Sequence, residues 1–360
     1  MPQIQAYKII PSLNGLRAIS IIIVILSHLK VNGFLPENFF FRYAGMIICN
    51  GALGVSVFFI ISGFLITTLL IKEKEKNGFI SLKKFYARRT IRIFPAYYFL
   101  LFVYFILTLF NYTQISTYGW IGALFYLRQF FQTHEYLIGH LWSLSIEEVF
   151  YLIFPFLFIK VNKKLNILLI LLIVAVTIGR LFLFKNPLPA LSLTIFVSAD
   201  SLLIGCLMAI NYEWLISIIN KIKLIKYIAV IVLVTSILIN YYLYHLYGYG
   251  QNKALHISAS FYALFGSLGL VTNLSIATII LTSITQKDYW YKLLNTKVFN
   301  YAGMLSYSIY LWQQLFTDDR TYLHKLPVIV IFVIIFACAL VSYYCIEKPF
   351  LKLKRRFQTT

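Results

Sequence analysis

Two histidines, a carboxylate and an arginine stand at spacings that let helices present them together. In SLNGLRAISIIIVILSH, Arg17 and His28 are eleven residues apart. That is three helical turns to within about 20°, so they share a face roughly 16 Å apart along the axis. In GHLWSLSIEEVFYLIFP, His140 and Glu147 are seven apart, and Ser143, Glu147 and Tyr151 follow at steps of four. One helix face would then carry His, Ser, Glu and Tyr, with Glu148 about 100° around from it. A neutral imidazole can take a proton from a hydroxyl, and a nearby carboxylate can fix its tautomer or raise its basicity. Such a set suits acyl transfer to a hydroxyl.

A third cluster is cationic. In KEKEKNGFISLKKFYARRTIRIFP, Lys84, Arg88 and Arg92 are four apart and Arg89 precedes Arg92 by three, so a helix presents a basic arc. Arginine binds phosphate bidentately, which reads as a cradle for the phosphates of a nucleotide-like donor. Positive-inside bias and contact with anionic lipid headgroups call for the same charges. Spacing leaves both readings open.

The elements that must position these groups are apolar. Of 360 residues, 60% are hydrophobic, 12% are charged and mean hydropathy is +0.80, so the chain cannot assemble a soluble surface. About 20 residues of helix cross ~30 Å of hydrocarbon. Spans are expected at 13–30, 54–71, 94–110, 141–159, 165–184, 192–210, 224–245, 257–283, 302–318 and 327–346. The expected fold is an all-α integral membrane protein of about ten transmembrane helices, one domain over residues 1–360. The apolar piece from Trp120 to Leu127 is too short to cross and reads as interfacial or re-entrant. The first segment has no small-x-small cleavage site and Arg17 interrupts its start, so it reads as a retained span.

The net charge of +20 is not a nucleic-acid surface, because the basic residues alternate with the spans. With a cytoplasmic N-terminus, inner loops and tails, Lys8 and the five basic residues from Lys348 included, carry 23 of the 32 lysines and arginines. Both termini are then cytoplasmic, and the chain is a multi-pass protein of the cytoplasmic or inner membrane. An ionisable group within a span costs about 2.5–3.5 kcal/mol on insertion scales, so Asp200 is expected to pair with Arg17 or Arg180. The four cysteines lack metal-ligand spacing and read as packing residues. There is no P-loop or GxSxG, and Ser62 in VFFIISGFL lacks the second glycine of a nucleophile elbow. No metal and no permanently bound cofactor is expected.

Taken together, the motifs resemble the membrane-bound acyltransferase 3 family. SLNGLRAISIIIVILSH resembles its first-span signature, GVSVFFIISGFLIT the second, FYARRTIRIFPAYY the arginine-rich entry to the third, and HLWSLSIEEVFYLIFP its most distinctive segment. ADSLLIG, LSYSIYLWQQ and IEKPFLKLK resemble later markers in order. Val149, Ser198 and Gln313 stand where many members have Gln, Arg and His.

The resemblance implies a cytoplasmic acyl-CoA donor, most often acetyl-CoA, and an acceptor hydroxyl on an envelope or lipid-linked glycan. It implies that Arg17 and His28 are needed for activity; the span-four geometry adds Glu147 and His140 to the expected catalytic set, and the basic arc places Arg88, Arg89 and Arg92 as the expected contacts of the CoA phosphates. Some members hand the acyl group to a C-terminal SGNH domain. This sequence carries none up to Thr360, so it is expected to complete the transfer itself or to use a separate extracytoplasmic esterase-like partner. The rivals are a glycolipid or polysaccharide transporter or flippase without transferase chemistry, and a structural subunit with a decayed site.

Overall fold

The computed structural model describes residues 10–36, 38, 41, 44–131, 135–185, 193–222, 224–247, 261, 263–318 and 326–353. Lys8, Lys223, Lys354, Arg355 and Arg356, which belong to the inner charges, lie outside the described residues, as do 192, 257–260 and 262 of two expected spans. Among the described residues every regular element is helical.

Among the described residues seven helices are long and apolar enough to cross a membrane: Leu13–Val31, Gly51–Asn77, Leu82–Leu109, Leu165–Phe182, Ile225–Tyr242, Ala263–Thr285 and Val328–Leu353. An eighth is reached if the bent pair Ser198–Ile210 and Tyr212–Lys221, which meet at 84°, is one span. The remaining two expected spans fall on helices Leu141–Val161 and Lys297–Phe316, of 21 and 20 residues, which are not among the seven. Thr117–Leu124 forms a short helix over much of the apolar piece expected not to cross. Tyr212–Lys221 was not anticipated as an element. Tyr212, Ile216 and Ile219 are buried while Trp214 is exposed, the two-faced pattern of a helix lying along a boundary.

The chain divides into two compact units. One comprises residues 1–27, 36–72 and 160–303. Its helices approach closely through glycine. A Cβ on Gly63 would lie 2.0 Å from the Leu202 carbonyl oxygen, and one on Gly205 would lie 2.2 Å from that of Ile60. No larger residue fits at this reciprocal crossing. Buried Arg180 and Asp200 pair at 2.7 Å, Asn273 donates to the second carboxylate oxygen at 3.2 Å, and Arg180 also donates to the Ala263 carbonyl at 3.0 Å. Of the two arginines considered for Asp200, Arg180 is thus the partner. Cys49 and Cys206 are buried, but in the other unit Cys345 is exposed, so packing does not account for every cysteine.

The second unit comprises residues 28–35, 73–159 and 304–360. Ser81 caps the Leu82–Leu109 helix by accepting from the Lys84 N–H at 3.4 Å. Pro95 and Pro155 each remove a backbone donor from a long helix. Tyrosines stand at the loosened turns: Tyr307 donates to the Ile93 carbonyl and Tyr86 to that of Leu152, both at 2.8 Å. Tyr97 and Tyr98 donate to the carbonyls of Ala123 and Leu124, at 2.7 and 2.9 Å, at the end of the short helix, where the Ala123 carbonyl also accepts from the Tyr126 N–H at 3.4 Å. After Val328–Val341 the chain makes a π-helical turn, Ser342–Glu347, a wide turn that often marks functional positions. Its last residue, Glu347, accepts from Ser308.

Candidate active site

His28 lies in the last turn of the Leu13–Val31 helix, three turns beyond Arg17. Its Nδ1 is 2.8 Å from the Gln313 side-chain oxygen, and its ring stands edge-on to Tyr136 with centroids 6.2 Å apart. Gln313 is wholly buried and its Nε2 donates to Gln314 Oε1 at 3.1 Å; Gln314 Nε2 donates to the Tyr136 carbonyl at 2.9 Å. Asn32 fixes the far side, donating at 2.5 Å to both the Tyr136 hydroxyl and the Thr317 carbonyl. The Thr317 hydroxyl donates to the Gln313 carbonyl at 3.1 Å and bonds the Tyr136 hydroxyl at 3.0 Å. The Lys297–Phe316 helix therefore delivers the partner of His28. In the sequence Gln313 stands out only as a departure from the resembled motif.

The stripe read on the Leu141–Val161 helix resolves into two groups. His140 precedes the helix by one residue, in a turn where the Ser143 N–H reaches back to its carbonyl at 3.4 Å, so its spacing to Glu147 is not purely α-helical. Its side chain is 3% exposed and packs against Tyr310, ring centroids 5.4 Å apart. Both ring nitrogens, though they face the backbone of Leu137 and Leu311, lack a hydrogen bond of normal geometry among the described residues. Tyr310 donates to the His140 carbonyl at 2.8 Å and meets the Ser143 hydroxyl at 2.5 Å.

Two turns on, Tyr151 donates its hydroxyl to Glu147, and the guanidinium of Arg89 lies over the Tyr151 ring, 4.5 Å from its centroid. Arg92 lies within electrostatic reach of Arg89, Glu147 and Glu347. Glu147 thus groups with the arginines; His28 Nδ1 bonds to Gln313, and His140 donates no hydrogen bond to Glu147. Glu148 lies within electrostatic reach of Tyr97, Tyr98, Tyr126 and Tyr307, and also of Arg89 and Glu147.

The basic arc is partly neutralised within the protein. Arg88 pairs with Glu73 at 2.7 Å, and the other Glu73 oxygen accepts from the Ser81 N–H at 3.0 Å. Glu73 is buried although it sits in the charged KEKEK run. Arg88, Arg89 and Arg92 follow one helix yet diverge to Glu73, to Tyr151 and toward the two glutamates. Among the described residues no group of three or more His, Cys, Asp and Glu side chains is placed to hold a metal ion.

Residues 10–347 match the family model described as an acyltransferase domain. The chain is 29% identical over 376 residues to a protein of Staphylococcus aureus strain COL provisionally named an O-acetyltransferase, and 29% identical over 374 residues to O-acetyltransferase OatA of Staphylococcus aureus strain NCTC 8325 / PS 47. Each match covers 96% of this chain and 58% of the relative, so the chain spans little more than half the length of the curated relatives it matches. No solved structure matches it. With nearly its whole length matched, and with the segments that carry Arg17, His28 and the His140–Tyr151 stripe inside the match, the chain belongs to the acyltransferase 3 family.

Proposed function

We propose that the chain is a membrane O-acetyltransferase that moves an acetyl group from cytoplasmic acetyl-CoA to a hydroxyl of an envelope or lipid-linked carbohydrate. The observation that carries this is the histidine held on one ring nitrogen by a buried amide, in a chain matched over residues 10–347 by an acyltransferase family. The acceptor oxygen attacks the thioester carbonyl carbon as His28 takes its proton; the C–S bond then breaks and CoA leaves, taking up a proton to become the thiol. In the other order His28 carries the acetyl group briefly and passes it to the hydroxyl. Arg17 and His140 complete the catalytic set. Arg88, Arg89 and Arg92 receive the CoA phosphates, with Glu147 supporting Arg89 through Tyr151.

A helix lies in each of the ten expected segments where they are described, the one at 257–283 being interrupted at 266–269, which supports ten crossings; the alternation of basic residues with the spans supports cytoplasmic termini and the inner membrane. A separate extracytoplasmic esterase-like partner would receive the acetyl group if this chain does not itself reach the final acceptor. Mass spectrometry of envelope glycans from cells with and without the gene tests the proposal: acetyl groups should disappear with the gene. Unchanged acetylation with less glycolipid at the outer face would favour the transporter instead.

A further inference from the structure

The two glutamines beside His28 form a chain whose direction is set at one end. Gln314 faces the Tyr136 backbone carbonyl, which can only accept, so the atom there must be the Gln314 amide nitrogen. Its oxygen then faces Gln313 and must receive a proton, which only Gln313 Nε2 can supply. That leaves the Gln313 oxygen toward His28 Nδ1, 2.8 Å away, and an oxygen there requires Nδ1 to carry hydrogen. Both amides are almost fully buried, at 0% and 2% exposure, so water does not compete for these bonds and reversing either amide would set like groups against each other. Tyr136 is itself held by Asn32 and Thr317, so the anchor does not drift.

We infer that Gln313 and Gln314 are positioning residues that hold the proton of His28 on Nδ1 and keep Nε2 as the nitrogen that accepts a proton or an acyl group. The inference rests on the proposed role of His28. Nδ1 stays a donor whether Nε2 is empty or occupied, so the relay suits the resting and loaded ring alike. Gln314, which does not touch His28, acts only through the direction of the Gln313 amide.

The test is solid-state NMR of the full chain in lipid with ¹⁵N-labelled histidine, His28 assigned by its absence in His28→Ala, alongside steady-state kinetics with acetyl-CoA. The neutral ring in the wild-type protein should carry its proton on Nδ1. Gln313→Met should shift the ring toward the Nε2–H tautomer and lower kcat about 10–100-fold with donor KM unchanged. Gln313→Glu, which keeps an acceptor at the same place, should restore the Nδ1–H form and part of kcat. Gln314→Met should give a tautomer mixture and an intermediate kcat.

A wild-type His28 protonated on Nε2, or a Gln313→Met protein with wild-type tautomer and kcat, overturns the relay. The wild-type spectrum needs no variant, so the inference stays exposed even if Gln313→Met fails to insert. Activity retained in His28→Ala would instead sink the proposed role of His28, an outcome separate from the tautomer.

Discussion

Tyr151 donates its hydroxyl hydrogen to Glu147, one turn behind it on the same helix. A phenol that donates to a carboxylate gains electron density in its ring, and that ring lies beneath Arg89. Glu147→Gln keeps the shape and an acceptor but removes the charge. Its kcat should fall about 10–100-fold, the usual effect of losing a supporting partner, and donor KM should rise as Arg89 loses its seat. Steady-state kinetics check this; a fall in kcat at constant donor KM would return Glu147 to the histidines. Glu148→Gln, facing the tyrosine cluster, should be milder.

His28→Ala should insert normally and lose about 10²–10⁴-fold in kcat, the range for a missing general base. Purified membranes assayed for CoA release measure it. Wild-type turnover in a correctly inserted variant would remove His28 from the chemistry.

Replacing Arg88, Arg89 and Arg92 together with Ala should raise donor KM, and in the wild-type protein donor KM should rise with salt as phosphate contacts are screened. Arg88 already pairs with Glu73, so Glu73→Gln should act oppositely, lowering donor KM by up to about fivefold, the upper end for a partly exposed ion pair. Unchanged donor KM in the triple variant would leave the arginines as topology determinants alone.

Arg180 and Asp200 should prove structural. Removing one member of a buried pair typically costs about 3–5 kcal/mol because the other is left charged and unpaired, whereas an apolar double replacement costs much less. Thermal unfolding in detergent should therefore rank Asp200→Ala well below Arg180→Met/Asp200→Leu, while the double variant keeps donor KM. Equal losses in the single and the double variant would contradict the pairing.

What the sequence makes legible follows from what hydropathy and helical periodicity measure. Apolar runs locate the spans, and a step of four brings Tyr151 to Glu147. The same arithmetic misplaces His140, because the first turn before Leu141 is not α-helical. The 84° bend after Ile210 has no proline or glycine to announce it. Glu73 hides in a charge run, its burial set by Ser81 and Arg88 on the next helix. Gln313 is 285 positions from His28, and no local pattern relates residues so far apart.

The most direct measurement follows labelled acetyl groups from acetyl-CoA in membrane vesicles carrying either the wild-type chain or inserted His28→Ala. The wild-type vesicles should release CoA thiol and move label into extractable carbohydrate, and the His28→Ala vesicles should do neither above background. Intact acetyl-CoA and unlabelled carbohydrate in both, with the wild-type chain correctly inserted, would contradict the account.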